Sequence, residues 1–329
     1  MLRYLARRLV LAVLTTAAIS VLTFVIIQLP PGDFVDAYIV QLTVSGSTVS
    51  AEEAESMREM YGLGQPMHVQ YLKWISRVVV GDFGYSMEWR RPVAEVIGDR
   101  IWLTLAVSVA ALVLTWGLAL PIGIYSAVRQ YSLGDYVFTF VGFIGLAVPN
   151  FLLALVLMYL GYTMFGLSVG GLFSPEYERE PWSLGKVIDL LQHMILPAIV
   201  LATAGTAHLI RIMRANLLDE LRMPYVVAAR AKGLSETRVL MKYPVRAALN
   251  PFASSIGYIF PQIVSGSIIV SLVLSLPTVG PLLLRALVAQ DMFLAGTIVL
   301  LLGVLTVIGT FISDLVLMWI DPRIRMQAG

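Results

Sequence analysis

Apolar residues fall in long runs separated by polar stretches. Runs of about 20 mostly apolar residues, the length that crosses a bilayer, lie at 9–29, 101–127, 136–165, 194–212, 251–275 and 293–319. The pattern predicts an all-α polytopic membrane protein with six transmembrane helices. The first run follows Arg3, Arg7 and Arg8, as a signal peptide's apolar core would. It continues to Leu29, far beyond the roughly 7–15 residues of such a core, and so reads as a signal anchor. Pro121, Pro149, Pro197 and Pro261 sit in or at the ends of these runs. Each is either an ordinary membrane-helix proline or a bend lining a pathway. Gly257, Gly266, Gly303 and Gly309 fit close helix packing.

Between the first two runs, residues 30–100 are too long for a simple loop and carry their own helix signals. Ser50-Ala51-Glu52-Glu53 is a capping box, with Gly62 as the stop. Gln65-Pro66 opens a second helix that ends at Gly81, and Arg91-Pro92 starts a third that reaches toward the second span. The expected organisation is an N-terminus with its first span (1–29), a small helical external cap (30–100) and a core of five spans (101–329). The segment 166–192 is shorter, with Glu176, Glu178 and Glu180 against Arg179 and Lys186. No repeat of 20–50 residues is visible.

Composition agrees with the pattern. The 329 residues are 58% hydrophobic and 13% charged, about half the ~25% charged content of a soluble domain. With no cysteine there is no disulfide, thiolate nucleophile or Cys-based metal site. His68, His193 and His208 are too scattered for a metal pattern. Charge distribution sets an orientation. With the N-terminus inside, the inner segments, taken to include Arg211, hold 14 Lys/Arg and five acids, and the outer ones nine Lys/Arg and fifteen acids. Both termini are then cytoplasmic.

The densest inner segment, Arg211 to Arg246, carries eight Lys/Arg and three acids. Leu217 to Lys232 is expected to form a helix stopped by Gly233, and Ser235 to cap a second one running toward Ala247. The small residues Ala228, Ala229 and Gly233 would let a partner's surface approach the backbone. The competing reading is a basic interfacial hairpin that binds anionic lipid. Asp314 is the one acid deep in a run, seven residues before Asp321. It is expected to form a structural pair, for instance with Arg323 or Arg325, or to act in gating. His208 and Arg211, one turn apart, anchor the inner end of the fourth span. No H-E-x-x-H, G-x-S-x-G or Walker A pattern occurs, which argues against a membrane enzyme and against ATP binding by this chain. An ion-coupled carrier would show several intramembrane charges and an inverted repeat.

The loop resembles the coupling motif of bacterial ABC-importer permeases, with Ala228, Ala229 and Gly233 at the motif's two alanines and glycine. An ordered set of stretches extends the resemblance over nearly the whole chain, toward the dipeptide/oligopeptide/nickel branch. These are Arg7-Arg8-Leu9, Pro31-Gly32-Asp33, Tyr61-Gly62-Leu63, Gln70-Tyr71-Leu72-Lys73-Trp74, Gly81-Asp82-Phe83-Gly84, Pro149-Asn150-Phe151-Leu152, Leu196-Pro197-Ala198 and Asp321-Pro322-Arg323. The chain departs from the family at Val227, often Glu in the wider group, at Ser271, at Pro277-Thr278-Val279-Gly280 in place of Pro-Gly-x-Gly, and at Thr310.

The resemblance implies a multi-pass bacterial inner-membrane permease paired with a second, related permease. Two ABC ATPase subunits, which hold ATP and magnesium, would dock on the loop 213–250. A soluble binding protein would deliver oligopeptides or dipeptides, or else oligosaccharides. Tyr225, Ala228, Ala229, Arg230, Lys232, Gly233, Leu234 and Ser235 would form the docking element. Ser271, Pro277, Thr278 and Gly280 mark the region expected to shape the pathway. Membrane lipid is the remaining partner, no nucleic acid is implied, and this chain itself would hold no cofactor or metal.

Overall fold

A computed structural model describes residues 2–29, 32–44, 50–166, 170–250, 252, 254 and 268–320. Most of them are helical. The elements are α1 (Leu2–Gln28), α2 (Phe34–Val44), α3 (Ala51–Tyr61), α4 (Met67–Val79), a hairpin of β1 (Tyr85–Ser86) and β2 (Arg91–Pro92), and α5 (Val93–Val128). Then follow α6 (Leu133–Ala147), α7 (Asn150–Phe165), α8 (Leu184–Leu221), α9 (Pro224–Ala231), α10 (Glu236–Lys242), α11 (Pro244–Ala248), α12 (Val279–Val288) and α13 (Met292–Ile320). Among the described residues, α1, α5, α8 and α13 are long and apolar enough to cross a membrane, and the bent pair α6–α7 brings the number to five. The expected fifth span, 251–275, lies mostly outside the described residues, with Gly257, Pro261 and Gly266.

The third run is not one continuous helix. α6 and α7 meet at 106°. Pro149 has no N–H to donate, and its ring drives the preceding residue to extended angles. Val148 accordingly sits at φ −85°, ψ 121°. Pro121 and Pro197 instead stay inside α5 and α8.

The chain forms two compact units. One comprises the described residues of Met1–Arg8, Leu103–Pro277 and Ile308–Gly329. Its core is built on α8, where Leu209, Met213 and Leu217 recur every four residues on one stripe and are fully buried. α6, α7 and α11 pack on this helix. Gly123 of α5 lets α8 approach closely: a Cβ there would stand 2.6 Å from the Cβ of Met213.

An ion pair between buried Asp135 and half-buried Arg214 ties the start of α6 to α8. Ser132 caps α6 by accepting from the N–H of Asp135, whose carboxylate in turn accepts from the N–H of Tyr131. The same carboxylate takes two bonds from the Arg214 guanidinium, at 3.1 and 3.0 Å. Removing one partner of such a pair leaves the other charge uncompensated. Asp135→Ala is expected to cost roughly 2–4 kcal/mol, read as a lower thermal midpoint in detergent. Replacing both residues by apolar ones of similar size should cost less.

The other unit comprises the described residues of Leu9–Trp102 and Thr278–Val307. The capping box forms as the sequence implies: Glu53 N–H donates to Ser50 Oγ, and the Ser50 N–H to the Glu53 carboxylate. Gly62 ends α3 at φ 69°, the left-handed angle that glycine adopts without a Cβ penalty. Pro66 precedes α4, and Gly81 follows it at φ 84°. The helix after Arg91-Pro92 does run into the long apolar α5, with a break at Gly98.

α2 adds a helix to the expected three. Asp33 and Asp36 cap it reciprocally, each backbone N–H donating to the other's carboxylate, and Arg58 of α3 pairs with both. Gly303 allows close packing as expected, since a Cβ there would meet Ile19 of α1 at 2.8 Å.

The hairpin β1–β2 is pinned by Asp291, which is fully buried. Its carboxylate accepts from Ser86 Oγ (2.6 Å), the Glu88 N–H (3.1 Å) and the Leu294 N–H (3.1 Å). The last bond makes Asp291 the N-cap of α13.

Candidate functional site

The basic segment between α8 and residue 250 folds as a helical hairpin. α8 carries on to Leu221, farther than expected. The single helix predicted for Leu217 to Lys232 is therefore divided: Leu217 lies in the buried stripe of α8, and a turn at Arg222 and Met223 precedes α9. Pro224 causes the division. It suits the first position of a new helix but cannot continue an old one. The second predicted helix is divided in the same way. Tyr243, just before Pro244, leaves helical angles at φ −117°, ψ −78°, which separates α10 from α11. Ser235 does precede α10, but its side chain makes no capping bond.

The two alanines of the motif have opposite environments. Val226 and Ala229, three residues apart on α9, face Val239 of α10, with Leu234 and Tyr243 around them. Ala229 is only 5% exposed, so its small size serves the hairpin's own packing. Ala228 is exposed, beside exposed Val227 and Ala231. Gly233 lies at φ +74°, and a Cβ built on it would touch nothing among the described residues. Within the chain it is therefore the turn angle that calls for glycine, since an L side chain would be strained there.

Polar contacts brace the turn. Arg230 binds Glu236 through Nε (2.9 Å) and Nη2 (3.1 Å). The Tyr225 hydroxyl donates to the Glu220 carboxylate, and the Tyr225 and Tyr243 rings lie 6.5 Å apart. Lys232 and Ser235 are exposed. Arg230 and Glu236 are exposed too, and a solvated ion pair contributes at most about 1 kcal/mol. Arg230→Ala should therefore shift stability by less than Gly233→Ala, which meets a φ penalty of roughly 1 kcal/mol. Thermal unfolding of the two variants in detergent checks that order. Behind the hairpin, Val245 and Ala248 of α11 enter the core of the unit built on α8. The hairpin is thus joined to α8 by the chain at one end and by packing at the other.

The other residues singled out in the sequence are dispersed. His208 and Arg211 are exposed on α8. Asp314 pairs with Arg8 at 2.8 Å; the partners expected for it, Arg323 and Arg325, lie outside the described residues. Ser271, Thr278 and Gly280 are buried inside the protein, and Pro277 is exposed. Among the described residues no group of three or more His, Asp or Glu is arranged to hold a metal ion. Sequence reading missed the Asp135–Arg214 pair and the Asp291 clamp. Ser132-x-x-Asp135 and Asp291 before an apolar run were the available signals, both of them N-cap patterns.

The profile of the family described as binding-protein-dependent transport system inner membrane component matches residues 119–326, and that of its N-terminal part matches residues 1–108. The chain belongs to this family. It is 36% identical to the oligopeptide transport system permease protein AppB of Bacillus subtilis, over 98% of this chain and 99% of that one. It is 31% identical to the dipeptide transport system permease protein DppB of Escherichia coli K12, over 99% of each. Against the glutathione transport system permease protein GsiC of Salmonella typhi the identity is 32%, over 99% of this chain and 100% of that protein. These relatives place it among the ABC-importer permeases of the peptide type, as a multi-pass bacterial inner-membrane protein. A solved structure of the inward-facing methionine ABC transporter MetNI matches 69% of this chain and 96% of its own, with a TM-score of 0.51 and 16% identity. It supports an ABC-transporter membrane-subunit fold.

Proposed function

We propose that this chain is the transmembrane permease subunit of an ATP-driven importer for short peptides. A soluble binding protein delivers the peptide, and a second, related permease completes the pathway. ATP and magnesium are held by two ATPase subunits, which dock on the α9–α10 hairpin. ATP binding draws the ATPases together and pushes the hairpin, and hydrolysis resets it, so that the pathway opens to each side in turn.

The observation that carries this reading is the construction of the hairpin. It has its own small core of Val226, Ala229 and Val239, a braced turn, and a rigid attachment to α8 through α11. A force on its exposed face is then transmitted to the long helix, because packed elements move as units. The exposed Val227, Ala228 and Ala231 offer a low surface for a partner's groove. Peptides are preferred as cargo because the oligopeptide and dipeptide permeases named above are similar over their full lengths.

The test is uptake into proteoliposomes holding both permeases and the ATPases. The expected result is peptide uptake only when loaded binding protein and ATP are both supplied. Uptake driven by an ion gradient, without ATPase subunits, would contradict the reading.

A further inference from the structure

The departures at Ser271, Pro277 and Thr278 left the choice between peptide and oligosaccharide open, and two of those side chains prove to be buried. The exposed face of the following helix, α12, offers a different clue. A groove of about 530 Å³ lies between α2 and α12, with the tip of the β1–β2 hairpin at its side. Its lining includes Phe34, Tyr38, Leu284 and Val288, and two charged residues of opposite sign, Glu88 and Arg285. The volume falls within the range of about 300–1,000 Å³ usual for small-ligand sites.

Three features set this groove apart from a plain apolar surface. First, Glu88 and Arg285 are both exposed, and neither side chain makes a hydrogen bond or ion pair among the described residues. They line one groove without pairing with each other. Second, the walls are braced. The Tyr38 hydroxyl accepts from Arg90 (2.8 Å), and its ring stacks on Phe34 with centroids 5.9 Å apart. The Glu88 backbone N–H is held by buried Asp291. Third, the rest of the lining is aromatic and aliphatic, a surface that a peptide's apolar side chains can cover.

We propose that this groove is a subsite that holds a short peptide by its two ends, Glu88 taking the terminal ammonium and Arg285 the terminal carboxylate. The proposal rests on the peptide-importer reading and narrows it. A neutral oligosaccharide offers hydroxyls for hydrogen bonding but a counter-charge to neither side chain. A free peptide satisfies both, and charge-assisted hydrogen bonds to a carboxylate are among the stronger polar contacts. With the N-terminus inside, α2 and the hairpin stand on the outer side, where a binding protein would release its cargo. The subsite then selects for free termini after the binding protein has made its own choice.

The test uses the complete transporter in proteoliposomes, with one binding protein throughout, and three forms of trialanine: free, C-amidated and N-acetylated. Arg285→Gln is expected to cut uptake of the free peptide about tenfold, the effect of losing one such contact, and to leave the C-amidated form unchanged. Glu88→Gln does the same for the free form and spares the N-acetylated one. Arg91→Gln, an exposed arginine outside the groove, changes none. Glu88→Arg and Arg285→Glu each lower free-peptide uptake, and combining them restores it, because the peptide binds reversed.

Equal losses for all three peptides, as a bound zwitterionic lipid would give, overturn the subsite. So does a double swap no better than the single ones. If the wild-type transporter with ATP and binding protein takes up none of the peptides, the importer reading itself fails, which is a separate outcome.

Discussion

Ala229→Glu should abolish ATP-coupled uptake while the chain still reaches the membrane at normal abundance. Ala229 is packed against Val226 and Val239, in a cluster that has only three fully enclosed members. A carboxylate placed there must either lose its hydration or force the two helices apart, and burying an unpaired charge costs several kcal/mol. Three small side chains cannot offset that, at about 25 cal/mol per Å² of apolar surface. The hairpin opens, but the long apolar helices, which do not depend on it, stay in place. Uptake and membrane abundance, measured on the same preparation, separate the two effects. Ala228→Glu changes an exposed position and should leave the hairpin folded. Any loss of transport in that variant reports on docking alone. Full transport in Ala229→Glu would mean that the folded hairpin is not needed.

The second large effect is expected at Asp291. Asp291→Ala removes the N-cap of α13 and leaves the Ser86 hydroxyl and the Glu88 N–H without their acceptor. A lost cap costs about 1 kcal/mol, and each of the two stranded donors about 1–3, so a total of roughly 3–7 kcal/mol is expected. The same residue gives stability a pH dependence. Burial raises the Asp291 carboxyl above the ordinary aspartate range, while the bonds from Ser86 and from the Glu88 and Leu294 N–H groups hold it back. Between the ordinary pKa, near about 4, and the raised one, the folded chain keeps a proton that the unfolded chain has lost. This contribution is therefore complete below about pH 4 and is lost as pH climbs through the raised value. Asp291→Asn, which cannot titrate, should have a lower thermal midpoint than wild type at low pH and a flatter profile across that window. A wild-type midpoint that rises with pH there would contradict this account of the site.

How much of this was legible depended on how local the chemistry was. The α3 cap was readable because Ser50, Glu53 and Gly62 fix a helix start and stop within a dozen residues. The long apolar helices were readable because length and composition settle them. The break at Val148 and Pro149 was not, because apolar character continues unchanged across it, and Pro121 and Pro197 show the same residue type inside intact helices. The α9–α10 hairpin was legible as a turn between two helices. The division of labour between its alanines was not, since Ala229 is inside only because Val239, ten residues on, packs over it. Contacts distant in sequence were likewise out of reach: Arg214 meets Asp135, Arg8 meets Asp314, and Ser86 meets Asp291.

The central claim is that the outer face of the α9–α10 hairpin seats on an ATPase. The absence of cysteine in this chain makes single-cysteine cross-linking direct. Cysteines at exposed Ala228 and Ser235, and at buried Ala229 as the internal comparison, are each paired with one cysteine on the membrane-facing groove of the ATPase. Cross-linking is then measured with and without ATP. The account predicts cross-links from Ala228 and Ser235 whose yield changes with nucleotide, and little or none from Ala229. Absence of any cross-link from Ala228 or Ser235, at every groove position and with both proteins in the membrane, would contradict it.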